Sequence, residues 1–101
     1  MADNLIWDEP IADEDLDKKV NEYGIILYYK KETKLLHRTK GPASIWSSGT
    51  KLWYQNDLLH RLDGQAEELV DGSKFWWYKG ECIDCSSQKE FGQQIKLKAF
   101  W

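Results

Sequence analysis

One motif, Leu-Leu-His-Arg, occurs twice in this sequence, and its repetition constrains the fold more than any other feature. The copies lie at residues 35–38 and 58–61 and contain both histidines of the chain. Behind each copy, further residues recur in the same order: Gly41 and Gly64, Ala43 and Ala66, Gly49 and Gly72, Lys51 and Lys74. A repeat of this length builds stacked copies of one small unit, because a single copy cannot bury its own apolar face.

Partial units flank the two copies. Residues 23–30 match residues 48–55, with Gly24, Tyr28 and Tyr29 at the positions of Gly49, Trp53 and Tyr54. Further along the chain, residues 79–85 (KGECIDC) stand where a third Leu-Leu-His-Arg would begin. We therefore predict about two and a half repeat units over residues 23–85.

Each unit has the pattern of short strands. Residues 50–56 (TKLWYQN) and 73–79 (SKFWWYK) are short and rich in aromatic residues, which favours strands over helices. Because side chains alternate along a strand, Leu52 and Tyr54 are predicted to share one face. Four dipeptides are predicted as two-residue hairpin turns: Ser48-Gly49, Asn56-Asp57, Asp71-Gly72 and Lys79-Gly80. The predicted fold is mainly β, a single-domain twisted antiparallel meander of stacked β-hairpin repeats.

The C-terminal segment, residues 86–101, has a helical pattern instead. Ser86 or Ser87 is a suitable N-cap, and apolar residues follow at every fourth position: Phe91, Ile95 and Ala99. We predict one C-terminal α-helix that closes the open end of the meander.

The N-terminal segment, residues 1–22, is predicted to be an acidic arm. It holds eight of the seventeen acidic residues and only two lysines, which leaves twelve basic residues against nine acidic ones in the rest of the chain. Leu16 and Val20 have the spacing of one helical turn, and an irregular segment is equally consistent with the sequence. An arm of this composition is a solvated or disordered segment, or one that contacts a basic partner.

The repeat pattern resembles the MORN-like hairpin repeats of bacteriophage and giant-virus proteins, whose units combine Leu-His-Arg-x-Asp-Gly-Pro-Ala with Trp-Tyr-x-Asn-Gly. The resemblance covers residues 23–101 and includes the helical tail. The chain departs from the pattern at Lys40, Asp57 and Gln65 and in the missing third His-Arg. The resemblance implies a repeat scaffold of phage type, and it is specific for the repeat rather than for a function.

Membrane and cofactor sites have little support in the sequence. No run of about 18 apolar residues exists, and residues 1–10 lack the charged start and apolar centre of a signal peptide. We therefore predict no membrane contact and a cytoplasmic location, that of the bacterial host by the resemblance. Cys82 and Cys85 have C-x-x-C spacing, but a zinc site needs about four ligands. Structural or incidental thiols are favoured over redox or metal use, and no cofactor or metal is predicted.

The His-Arg pairs are interpreted as structural residues rather than as a catalytic site. Histidine is the usual acid-base group and metal ligand near neutral pH. However, no Ser or Cys nucleophile accompanies either copy at a repeated position. We expect the imidazoles and guanidinium groups to donate hydrogen bonds to a neighbouring unit and to stack on its rings. The residues assigned to the structural repeat are His37, Arg38, His60, Arg61, Gly41, Gly64, Gly49 and Gly72, with the four glycines as turn residues; no enzyme activity is predicted.

Binding to a host protein or protein complex is the leading functional hypothesis. Six Trp and five Tyr in 101 residues exceed ordinary usage and supply the side chains that dominate protein interfaces. The predicted anchors are Trp46, Trp53, Trp76 and Trp77. Four carboxylates of the arm are predicted to face a basic groove and to mimic nucleic-acid charge: Asp13, Glu14, Asp15 and Asp17.

By its resemblance to phage proteins, the chain is expected to inhibit a bacterial defence or nucleic-acid-handling complex by occupying its surface. The alternative is a domain that binds carbohydrate or single-stranded nucleic acid, or a structural repeat domain. The formal net charge of -3 argues against direct nucleic-acid binding. An unpaired edge strand leaves a homodimer open.

Overall fold

The structure is a computed structural model that describes residues 5–99. Residues 1–4 of the predicted arm and residues 100–101 of the predicted helix lie outside the described residues, and so does the packing of the Ala99 side chain. Within residues 5–99, no helix is long and apolar enough to cross a membrane.

Within residues 5–99, nine short strands build the fold, and most of them belong to one antiparallel sheet. The strands are β1 (Leu16–Val20), β2 (Ile26–Lys30), β3 (Ser44–Ile45), β4 (Lys51–Leu52), β5 (Tyr54–Gln55), β6 (Leu58–Leu59), β7 (Glu67–Glu68), β8 (Lys74–Tyr78) and β9 (Glu81–Ile83). Seven of them pair in the order β1-β2-β3-β4-β7-β8-β9, and β5 pairs with β6 in a separate hairpin. A 3-10 turn (Asp13–Asp15) precedes β1, and one helix, α1 (Gln88–Ala99), follows β9. The predicted fold class is confirmed.

Two of the four predicted two-residue turns are confirmed. Asn56 and Asp57 join β5 to β6, and both have positive φ, at 53° and 69°. Lys79 and Gly80 join β8 to β9 with φ of 50° and 84°. Positive φ at both central residues defines the type I′ turn, whose twist matches that of paired strands.

The other two predicted turns are wrong in length. The Trp46 N–H donates to the Thr50 carbonyl at 2.9 Å, and the Gly49 N–H donates to the Trp46 carbonyl at 3.0 Å. The loop therefore has three residues, and Gly49, with φ of 109°, is its left-handed third position. The loop that contains Asp71-Gly72 repeats this arrangement, since the Leu69 N–H bonds to Ser73 and the Gly72 N–H to Leu69.

The register gives the sheet two distinct faces. Directly paired residues point to the same side, so one row across the sheet is Lys19, Leu27, Ser44, Leu52, Glu67 and Phe75, and the adjacent row is Val20, Ile26, Ile45, Lys51, Glu68 and Lys74. We call the side of the first row the open face. The side of the second row is the arm face, because the N-terminal segment packs there.

The arm face holds the core of the first half. Leu16, Tyr28 and Ala43 are buried together, and Tyr54 packs against them. Leu52 pairs with Ser44 and belongs to the open face, so the prediction that Leu52 and Tyr54 share a face is wrong. The reason is a break at Trp53, where β5 leaves the sheet to pair with β6.

The predicted arm, residues 1–22, is divided in the structure. Leu16–Val20 form strand β1, which pairs with β2 along its whole length, so this part belongs to the sheet and is not a helical turn. Residues 6–13 run along the arm face and contact both repeat units there.

Helix α1 covers the last unit. The Ser87 hydroxyl accepts from the Glu90 N–H at 3.1 Å, which confirms Ser87 as the N-cap. Phe91 is fully buried and stacks on Trp76, with ring centroids 6.4 Å apart. The Trp76 indole N–H also donates to Gln88 at 2.8 Å.

Candidate functional site

The two repeated histidines fasten the hairpin turns of the next unit. His37 Nδ1 accepts from the backbone N–H of Asn56 at 3.0 Å, and His60 Nδ1 accepts from that of Lys79 at 2.9 Å. Asn56 and Lys79 are the first residues of the two type I′ turns. Both imidazoles are buried, with 5% and 1% of their surface exposed. Each histidine therefore holds a turn that lies 19 residues downstream.

Both imidazoles are kept neutral. A nitrogen that accepts a backbone N–H carries no proton, so each ring has its proton on Nε2. Burial, with a smaller contribution from Lys30, lowers the pKa of His37 to about 4. Burial also lowers the pKa of His60, and the contact with Asp8 opposes this shift in part.

The repeated arginines cover aromatic rings. The Arg38 guanidinium lies 4.0 Å from the centroid of the Tyr28 ring, and that of Arg61 lies 3.6 Å from the Trp53 ring. Each also donates to the carbonyl four residues ahead, at 3.1 Å for Arg38 and 3.0 Å for Arg61. The rings belong to the preceding unit, as expected, whereas the carbonyls belong to the arginine's own unit and not to a neighbouring one.

Gly41 and Gly64 each lie against the guanidinium group of the arginine three residues earlier. Neither glycine has positive φ, in contrast to Gly49 and Gly72. A Cβ at Gly41 would lie 3.0 Å from an Arg38 nitrogen, and one at Gly64 would lie 2.8 Å from the Arg61 guanidinium carbon. The chain bends at both glycines, and the absence of a side chain there lets a guanidinium approach the backbone.

In the third unit the helix replaces the missing His-Arg. The backbone N–H groups of His37 and His60 donate to the backbone carbonyls of Tyr28 and Trp53. The rings of Tyr28 and Trp53 therefore have equivalent positions in the two units. Trp76 is the next ring in the series, and it is covered by Phe91 instead of an arginine. Ile83 occupies the histidine position and is buried.

The carboxylates of the arm bind the repeat instead of facing solvent as a group. Asp13 accepts two hydrogen bonds from Arg38, at 3.1 and 2.7 Å, and this pairing lowers the pKa of Asp13. Asp17 accepts from the Glu32 N–H at 3.0 Å. Glu14 and Asp15 are exposed. Only the last two carboxylates are therefore placed as the charge-mimicry hypothesis requires.

The arm contacts the second unit through Asp8, which the sequence prediction did not include. The Asp8 carboxylate lies 2.8 Å from His60 Nε2, and its backbone N–H donates to the Gln55 side chain at 2.8 Å. Trp7 lies against the same imidazole, with ring centroids 4.7 Å apart. No local pattern indicates these contacts, because they join residues about 50 positions apart.

The four predicted tryptophan anchors divide between the two faces. Trp53 lies under Arg61 and Trp76 under α1, so both support the fold. Trp46 and Trp77 lie on the open face, where their indole N–H groups donate to Ser44 and Glu67. Trp46 is 42% exposed, and Phe75, which was not predicted, is 41% exposed on the same face, where it pairs with Glu67. Strand alternation from Trp77 is the signal that would have identified Phe75.

Cys82 lies in β9, and Cys85 lies in the segment between β9 and α1. Cys82 is exposed, Cys85 is half-buried, and neither is in a disulfide. Burial and nearby carboxylates raise the pKa of both thiols, which lowers the fraction of reactive thiolate. Within residues 5–99, no group of three or more His, Cys, Asp or Glu side chains is arranged to hold a metal ion.

Comparisons of the chain with protein-family models, with curated proteins and with solved structures found no match.

Proposed function

We propose that the protein is a non-enzymatic protein-binding module whose contact surface is the open face of the sheet. The observation that carries this proposal is the exposure of Trp46 and Phe75 on a sheet face on which, among residues 5–99, neither the arm nor α1 packs. The apolar and aromatic residues of this face are Leu27, Tyr29, Trp46, Leu52, Phe75 and Trp77.

The arm face offers no comparable surface. Its rings are covered by Arg38, Arg61 and α1. An exposed patch of large apolar side chains costs free energy in water and usually marks a contact with another molecule. Trp is also the residue type most enriched among side chains that dominate binding energy. Trp46 and Phe75 are therefore the proposed anchors.

The charges at one end of the open face indicate the chemistry of the partner. Lys19 and Lys34 line a shallow depression together with Tyr29 and Thr33. A partner with an apolar patch bordered by carboxylates would be complementary to this surface. Because Asp13 and Asp17 are engaged within the chain, charge mimicry by the arm is restricted to Glu14 and Asp15.

The source of the partner rests on the resemblance to phage repeat proteins. On that basis we propose a bacterial host protein, whose defence or nucleic-acid-handling complex is inhibited when its surface is occupied. Occupation of a surface requires no catalytic group, which agrees with the structural role of both repeated histidines.

The test is an affinity capture from bacterial lysate with wild-type protein, a Trp46→Ala/Phe75→Ala double variant and a Tyr23→Ala control. Tyr23 is an exposed aromatic residue in the β1–β2 loop and is not one of the strand residues that form the open face. We expect one protein to be captured by the wild type and the control and lost with the double variant. Equal capture by a folded double variant would reject the open face.

Binding of a smaller ligand is tested on the same surface by tryptophan fluorescence. Oligosaccharides and short oligonucleotides should leave the emission unchanged, because the proposed surface accepts an apolar protein patch. Saturable quenching by either, lost in the Trp46→Ala/Phe75→Ala variant, would replace the protein partner with that ligand class.

A further inference from the structure

The two repeat units differ in what approaches the second nitrogen of the histidine. At the second unit, His60 Nε2 bonds to the Asp8 carboxylate at 2.8 Å. At the first unit, no residue of the described chain accepts a hydrogen bond from His37 Nε2. The Nε2 atom therefore has a carboxylate of the chain as its hydrogen-bond partner in the second unit, and it has no partner among residues 5–99 in the first.

His37 lines a cleft of about 320 Å³ beneath the arm, which we call the His37 cleft. The other residues of the cleft are Ile6, Glu9, Pro10, Ile11 and Lys30. Because His37 Nδ1 accepts the Asn56 N–H, its remaining nitrogen carries a proton and is a donor. A ligand in the cleft can therefore accept a hydrogen bond from this N–H.

Lys30 adds a positive charge to the same cleft. Its ammonium is close enough to contribute to the lowered pKa of His37. Within residues 5–99, Lys30 makes no ion pair, although Glu9 lies in the lining and is an opposing charge for any anion. Ile6 and Ile11 provide apolar walls. The cleft thus combines one N–H donor, one cation and an aliphatic surface.

We propose that the His37 cleft binds a carboxylate carried on a short aliphatic chain, in the role that Asp8 has at the second unit. One carboxylate oxygen accepts from His37 Nε2, the Lys30 ammonium neutralises the negative charge, and the aliphatic chain lies against Ile6 and Ile11. The carboxylate is that of a free aliphatic acid or of an acidic side chain in a peptide. This site is independent of the open face.

The repeat supplies the internal control for the experiment. Protein with isotope-labelled histidine is titrated at pH 7.5 with butyrate, with the neutral analogue butyramide and with the peptide acetyl-Ala-Glu-Ala-amide. We expect saturable shifts of the His37 ring signals with the carboxylates and none with butyramide. The His60 signals should not move, because Asp8 already occupies Nε2.

Variants test the assignment of the charges. Lys30→Gln should weaken carboxylate binding by roughly tenfold, which corresponds to about 1.4 kcal/mol. Glu9→Gln should strengthen it, and Lys31→Gln, an exposed neighbour, should leave it unchanged. The His60 signals report whether each variant is folded.

The outcomes separate the possibilities. Tighter binding of butyrate than of the peptide identifies a free acid as the ligand class, and the reverse order identifies an acidic side chain. Absence of a saturable His37 shift with both carboxylates, an equal shift with butyramide, or an unchanged affinity in Lys30→Gln would overturn the proposal.

Discussion

The two Leu-Leu-His-Arg units share their backbone contacts and differ in what the N-terminal arm adds to them. In both, the histidine accepts a turn N–H and the arginine covers a ring. The arm then pairs Asp13 with the arginine of the first unit and Asp8 with the histidine of the second. The repeated residues build the scaffold, whereas the unrepeated arm makes the two units chemically different.

Removal of the histidines should give the largest losses in the free energy of unfolding, and the two losses should differ between the units. His60→Ala leaves the Lys79 N–H and the Asp8 carboxylate without this partner and opens a cavity, so we expect a loss of about 3 kcal/mol in the free energy of unfolding. His37→Ala loses the Asn56 contact alone and should cost about 2 kcal/mol. Urea denaturation monitored by tryptophan fluorescence measures both.

A substitution that retains an acceptor sharpens this test. His60→Asn keeps a side-chain oxygen that can accept from the Lys79 N–H, so it should recover part of the loss. A larger cost for His37→Ala than for His60→Ala would show that the Asp8 contact contributes nothing to stability.

The pH dependence of stability should follow from the neutral state of both imidazoles. The pKa of His37 falls from 6.5 in the unfolded chain to about 4 in the folded protein, so the unfolded state binds the proton more readily. Stability is therefore full above about pH 6.5 and is lost as the pH falls towards 4. We expect a decrease of about 3 kcal/mol over this range from His37.

Denaturation midpoints measured from pH 7.5 to 4 check this prediction. The His37→Asn variant should show a smaller decrease, because the His60 contribution alone would remain. A stability that rises on acidification would contradict the neutral assignment.

Substitution of the arginines should lower the free energy of unfolding by an intermediate amount, and the loss should be larger in the first unit. Arg38→Lys loses the bidentate contact with Asp13 and the stacking on Tyr28, which we expect to cost about 1.5 kcal/mol. Arg61→Lys loses its stacking on Trp53 and a contact with the exposed Asp63, and should cost about 1 kcal/mol. Thermal denaturation of both variants, with Lys40→Arg as an exposed control, measures the difference; equal costs would mean that the Asp13 pair adds no stability.

The sequence was sufficient for features that recur and insufficient for those that occur once. The repeat predicted the meander and the two-residue turns at Asn56-Asp57 and Lys79-Gly80. It did not predict that His37 and His60 accept hydrogen bonds from the next turn, since both imidazoles were expected to donate. The three-residue loops were missed because Ser48-Gly49 gives the same dipeptide signal as a shorter turn. Strand β1 was missed because its edge position leaves Lys18 and Lys19 exposed, which hides the alternation of a strand.

The candidate surfaces were predictable to a lesser extent. Trp46 and Trp77 could be named as aromatic residues, but which rings become covered depends on Arg61 and on α1. Asp8 could not be assigned to His60 from the sequence, because the contact spans 52 residues and joins an unrepeated segment to a repeated one.

The smallest effect is expected for the two exposed carboxylates of the arm. Glu14→Gln/Asp15→Asn removes only solvated charges, so the free energy of unfolding should change by less than about 0.5 kcal/mol. Removal of the whole arm would not be equivalent, since it also removes β1 and the pairs with Arg38 and His60. If the partner binds the open face, the Glu14→Gln/Asp15→Asn variant should capture as much partner from lysate as wild type does, both at low salt and at high salt. The opposite result would be a folded Glu14→Gln/Asp15→Asn variant that no longer captures the partner, together with a wild-type protein that loses the partner when salt is added. That result would place the contact surface at the 3-10 turn of the arm instead of the open face.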